Sequence, residues 1–276
     1  MRSVSTPKRA PFVGGALILA VAFAGVYLLF VTTHLGQVID ERAFTGAAAW
    51  RGGLIDAARW LLDALPALSV GLALAITVVV AIVRRNGTVF IAAVVAAVAA
   101  NASTQLLKYL VLSRPDRGVA EGLSNSLPSG HTTAAASAAL AVFLVCSPRM
   151  RPLVAVIGSV FSVTAGAATL VNQWHRPSDV IAALLVVGFW GCAAGFALVG
   201  SRSARAERQS GIRMPWLAWL AVACAIVAAI GFVVTASDTA DTTSHLFIAY
   251  AGGVAAIAAI GFALAWAGTR LFRWLR

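Results

Sequence analysis

A chain of 276 residues that is 60% hydrophobic and only 11% charged, with a mean hydropathy of +0.88, lies far outside the composition of a soluble globular domain. The formal charge of +11 does not indicate nucleic acid as a partner, because the basic residues stand between apolar runs instead of gathering on one solvated face. Cys146, Cys192 and Cys224 show no CxxC or Cys/His spacing, which removes a disulfide framework and a zinc site and leaves buried small hydrophobes.

In chain order, the basic stretch Met1 to Ala10 precedes an apolar run at about 11–33, read as an uncleaved first helix instead of a removed signal peptide. Further apolar segments fall at about 65–83, 88–112, 131–147, 152–174, 178–200, 215–235 and 246–268, eight candidate spans in all. Runs of roughly 20 residues fit the ~30 Å hydrocarbon core, and in lipid only helices satisfy the backbone of such runs. Between the first two spans, residues 36–64 mix charges with apolar residues at helical spacing, which predicts an interfacial helix on the outer surface, or a lid. The loop 201–213 is polar and basic and suits a cytoplasmic connection that meets anionic membrane lipids. It separates six spans from a last pair whose apolar runs carry no ionisable residue.

Nineteen of the 21 basic residues are Arg, so Lys108 inside a membrane segment stands out. Placing the N-terminus in the cytoplasm puts fourteen basic residues on that side and seven on the other, so the positive-inside rule predicts both termini in the cytoplasm.

Three polar groups interrupt the apolar pattern, and this topology puts all three on the outer face. They are Lys108 with Arg114-Pro115-Asp116-Arg117, Pro128-Ser129-Gly130-His131, and His175-Arg176-Pro177-Ser178-Asp179. Backbone N–H groups at a helix start bind an anion, and Gly130 lets that backbone approach closely, so Ser129-Gly130-His131 suits a phosphate. Lys108 and Arg114 supply neutralising charge, the Arg as a planar fork. Asp179, four residues beyond His175, is placed to hold one ring N–H and aim the other nitrogen, which makes His175 a candidate nucleophile and His131 a candidate general acid. Taken singly, each has an ordinary explanation: a loop-to-helix turn, a snorkelling lysine, a helix-capping pair. Ionisable residues at membrane depth are costly, and their gathering on one face favours a functional site.

At these residues the chain resembles the type 2 phosphatidic acid phosphatase superfamily, which includes bacterial lipid phosphate phosphatases and the vanadium haloperoxidases. The likeness runs from Lys108 to Asp179 through three blocks: Lys then Arg-Pro, then Pro-Ser-Gly-His, then His with an Asp four residues on. With the apolar runs it predicts an all-α fold, a polytopic membrane helical bundle with a six-helix phosphatase-like core at 1–200, to which the last two runs add a two-span C-terminal hairpin at 214–276. It implies a metal-independent enzyme without a cofactor, acting on a lipid phosphate or polyprenyl pyrophosphate at the outer leaflet of the cell membrane. His175 would attack phosphorus, Asp179 would orient it and His131 would protonate the leaving oxygen, with Lys108, Arg114, Ser129 and Gly130 on the phosphoryl oxygens.

Two departures follow from the count. Five residues separate Lys108 from Arg114 where the family has six, which turns Lys108 away by about 100° unless the helix end unwinds. The family's Ser-Arg pair falls on Ala168-Thr169, so one phosphate-binding arginine is missing, and Arg176 and Arg117 are the candidates to replace it. That gap keeps open an alternative, a catalytically weak relative that binds or transports a lipid phosphate or anion. Vanadate-dependent halide oxidation, a third reading, sits poorly with the membrane setting.

Overall fold

The computed structural model describes residues 9–48, 70–119, 124–199, 214–237 and 241–275. They form α1 (Ala10–Val26), α2 (His34–Ala48), α3 (Val70–Arg84), α4 (Gly87–Leu106), α5 (Gly130–Val145), α6 (Arg151–Val171), α7 (Pro177–Leu198), α8 (Pro215–Ser237) and α9 (Thr243–Leu271). Each predicted apolar segment is a helix where it is described. Among the described residues six helices are long and apolar enough to cross a membrane: α1 and α4, each lengthened by a π-helical turn to Val31 and Val111, and α6 to α9; α3 and α5 are shorter apolar helices. The chain is a polytopic helical membrane protein.

Helix starts follow from the sequence. Asn86, Ser129 and Thr242 cap α4, α5 and α9, each side-chain oxygen accepting a backbone N–H three residues on. Pro177 opens α7, and Pro11 and Pro152 stand in the first turns of α1 and α6, where a missing N–H costs nothing. α7 is apolar on all sides and 67% of its span is buried, so it becomes the central helix, packed by α1, α4, α5 and α9. α1 is 6% buried over its span and shows Leu17, Ile18 and Val21 to lipid.

The bundle has two chemically different ends. At one, Arg9 stacks on Phe196, Arg84 donates to the Val145 carbonyl, and Arg151 lies over Phe143 and Phe272. At the other, all three polar blocks meet.

The segment read as an interfacial helix is different where it is described. α2 is packed into the bundle, burying Gly36, Gln37, Ile39, Asp40, Ala43, Gly46 and Ala47 against α9 and its neighbours; residues 49–64 lie outside the described residues, as does the basic loop 201–213. A helix rich in small residues fits between other helices, and amphipathic spacing alone does not distinguish that from a water surface. Arg42 pairs with Asp241 at 2.8 Å and donates to the Thr235 carbonyl, fastening α2 to the C-terminal hairpin. A Cβ on Gly46 would land on the Leu246 carbonyl, and one on Gly253 would come 2.7 Å from Cγ of Pro177 and 3.3 Å from Ala43. Gly46→Val is therefore expected to lower stability by about 1–3 kcal/mol or more through overpacking, read as a drop in melting temperature in detergent.

Candidate active site

The second block is fixed from both sides. Ser129 is fully buried; its Oγ accepts from Thr132 N–H at 3.3 Å, and its own N–H donates to the Asp179 carbonyl at 2.9 Å, docking the start of α5 on the start of α7. Asn125 holds the approach, donating from Nδ2 to the carbonyls of Lys108, Leu112 and Leu127 and so joining the first block to the second. Leu127-Pro128 is a cis peptide. A Cβ on Gly130 would stand 3.6 Å from Nε2 of Gln105, so the helix N-terminus is open to a group the size of a phosphate oxygen, with the Gln105 amide beside it. His131 is exposed, stacks on Trp174 at 4.9 Å between ring centroids, and stands 6.1 Å from the His175 ring.

The third block hangs from the end of α6. Gln173 takes the left-handed conformation at φ 58°, Gln173 N–H donates to the Leu170 carbonyl and Trp174 N–H to that of Thr169, a Schellman closure that stops the helix and turns the chain. His175 follows, 5% exposed, with Nδ1 at 3.2 Å from Oδ2 of Asp179. The same carboxylate oxygen accepts the backbone N–H of Arg176 at 3.0 Å, so the orienting acid also caps α7. With Nδ1–H donating to Asp179, Nε2 is the ring nitrogen of His175 that carries the lone pair. Thr169 is buried, its Oγ1 donating to the Gly166 carbonyl, and it brings no positive charge.

Of the two candidate replacements, the structure places Arg176 beside Asp179. Its Nε donates to Oε2 of Glu41 at 2.7 Å and its guanidinium lies over Phe44; burial works against its charge, but Glu41 and then Asp179 hold it above the ordinary arginine value. Arg117 is exposed and turned away, donating from Nε to the Thr32 carbonyl while its own carbonyl meets His34.

In the first block, the end of α4 does unwind: Leu107–Val111 is a π turn and Leu112 is extended. Lys108 is half-buried with its ammonium 5.6 Å from the Tyr109 ring centre. Arg114 is 7% exposed and its buried Nη2 has no hydrogen-bond partner among the described residues. Burial and then Arg176 draw its guanidinium below its ordinary value, and Asp40 and Asp179 oppose that. A buried donor without a partner fits a site whose missing partner is an anion.

Sequence reasoning missed Gln105, Asn125 and the α2 carboxylates. Gln105 and Lys108 are three residues apart at the end of a mostly apolar helix, which is a readable signal of one shared face. Asp40 of α2 is buried, its carboxylate accepting from the N–H and the hydroxyl of Ser178. Burial, then the nearby Asp179 charge, push it up to about 7. An acid raised in the folded state costs stability as it ionises, so that cost grows as pH rises from about 4 to about 7 and is constant above. Asp40→Asn should lack that slope, the gap reaching on the order of a few kcal/mol, as thermal unfolding across this range would show.

Residues 88–203, which contain all three blocks, match the family model of the PAP2 superfamily. Over this segment, less than half of its length, the chain is similar to that superfamily. The PAP2 match supports a phosphatase-type activity and covers α4 to α7, with α1, α2, α3, α8 and α9 outside it. No curated protein and no solved structure matched.

Proposed function

We propose that this protein removes phosphate from a lipid phosphate or a polyprenyl pyrophosphate at the outer leaflet of the cell membrane, through a phosphohistidine. The observation that carries it is His175 held against Asp179 at 3.2 Å, with the His131 ring centre 6.1 Å from that of His175. His175 Nε2 forms a bond to phosphorus as the bond to the leaving oxygen breaks, and His131 gives that oxygen its proton. Water then attacks the phosphohistidine, passing a proton to His131, and inorganic phosphate leaves. Arg114, Arg176, Lys108 and the N-terminus of α5 hold the phosphoryl oxygens. Exposed Tyr109, Leu110, Val111 and Trp174 around the site favour a substrate whose tail stays in lipid. The arginine-rich opposite end supports an outward-facing site with both termini in the cytoplasm.

The test is phosphate release in detergent from phosphatidate, phosphatidylglycerol phosphate and polyprenyl pyrophosphates. Turnover should be insensitive to chelator and lost in His175→Ala; activity that survives that substitution, or that a chelator abolishes, contradicts the mechanism. Thr169 in the arginine position keeps one second reading: a weak relative that binds or transports a lipid phosphate or anion, seen as tight binding without turnover.

A further inference from the structure

One face of α2 grips the segment that carries His175 at three points. The Phe44 carbonyl accepts from Nε2 of Gln173 at 2.6 Å, Oε2 of Glu41 accepts from Nε of Arg176 at 2.7 Å, and the Asp40 carboxylate accepts from Ser178 N–H at 3.0 Å and Ser178 Oγ–H at 2.6 Å. Positions 40, 41 and 44 fall within an arc of about 100° on a helix, and residues 173, 176 and 178 bracket His175 on both sides. The His175 backbone is not in a helix: its N–H reaches the Thr169 carbonyl of α6 at 3.3 Å and its ring the Asp179 carboxylate of α7, so where the ring stands depends on how the ends of those two helices are held.

We infer that Asp40 and Glu41 are positioning residues of the site: Asp40 fixes the first turn of α7, on which Asp179 aims His175, and Glu41 turns Arg176 toward the phosphate position that Thr169 leaves without charge. α2 lies outside the segment matched by the family, so a part of this chain beyond that core completes the site. The inference rests on the phosphatase reading above.

The two contacts work in different ways. A guanidinium on a long stem loses much rotamer freedom when it is fixed, and a short charge-assisted bond to Glu41 stacked over Phe44 offsets that loss. Asp40 faces Ser178 and Asp179 on α7 and Arg114 from the loop after α4, with Glu41 and Arg176 beside it. Its two hydrogen bonds are what hold a carboxylate there against Asp179. The positioning is done by those bonds and not by the charge.

Full-length variants in detergent separate this from simple bracing. Asp40→Ala should lower kcat about 10-fold, whereas Asp40→Asn, whose amide can still accept from Ser178 N–H and donate to Ser178 Oγ, should stay within about 3-fold of the parent. Glu41→Ala should raise KM, and the Kd of inorganic phosphate by calorimetry, about 5-fold, with no further effect in the Arg176→Ala background. Unchanged kcat in Asp40→Ala, an Asp40→Asn as impaired as the alanine variant, or a Glu41→Ala effect that persists without Arg176 would each overturn the inference. So would losses that simply follow melting temperature down across the set. If the parent protein binds phosphate but releases none from any lipid, the phosphatase reading fails while the Glu41 and Arg176 cycle on phosphate binding still decides this one. If it neither binds nor releases phosphate, both fall.

Discussion

Replacing His175 with alanine should lower phosphate release by more than about 10⁴-fold, because the attacking nitrogen is removed and Asp179 has nothing to aim. The variant should fold, since the start of α7 keeps its cap through the Arg176 N–H on Oδ2 of Asp179. His131→Ala should show a different pattern. A general acid contributes about 10²- to 10⁴-fold when the leaving oxygen is a poor one, as in an alkyl phosphate, and little when it leaves readily, as in p-nitrophenyl phosphate. Measuring both substrates in both variants checks the roles: equal losses on the two substrates in His131→Ala would remove it as the proton donor. His131 stands 6.1 Å from His175 between ring centres, near enough for both rings to reach one phosphoryl group.

Arg114→Ala should cost about 10²- to 10³-fold in kcat/KM, the range for removing one preorganised donor from a developing oxyanion. Its buried, unpartnered Nη2 is the reason to rank it above Lys108, whose ammonium rests over Tyr109. Arg114→Lys should recover only part of the loss, because an ammonium cannot present a fork. Arg176→Ala is expected to fall in the same range if it fills the place of the absent arginine, while Arg117→Ala should stay within about 2-fold, its guanidinium being committed to the Thr32 carbonyl. Steady-state kinetics on the four variants orders them directly.

The three blocks were legible in the sequence because the membrane makes them so. In a chain that is 11% charged, polar residues at helix ends stand against an apolar background, and helices long enough to cross leave their ends at only two levels. The pairing of His175 with Asp179 was legible because four residues across a helix start bring two side chains together regardless of tertiary context. The shortened first block was legible as a mismatch but not as a solution; that the end of α4 widens into a π turn depends on how Asn125 ties Lys108 and Leu112 to Leu127. The two candidate arginines were equal in sequence. They differ only because Glu41 and Phe44 stand beside one of them and Thr32 beside the other.

α2 marks the boundary between the two kinds of information. Its charges and spacing predict a helix, and composition sends a helix of that kind to the membrane surface. Its burial is decided elsewhere, by Gly46 and Gly253, which let α9 close on it, and by Arg42 reaching Asp241 some 199 residues away. The sequence by itself determined the apolar helices, the class of the protein and the chemical identity of the blocks, since these follow from local composition and the thickness of a bilayer. Which face of α2 turns inward, and so which carboxylates hold His175 and Arg176 in place, was decided only by the tertiary structure, because contacts between residues far apart in the chain depend on how closely helix backbones can approach.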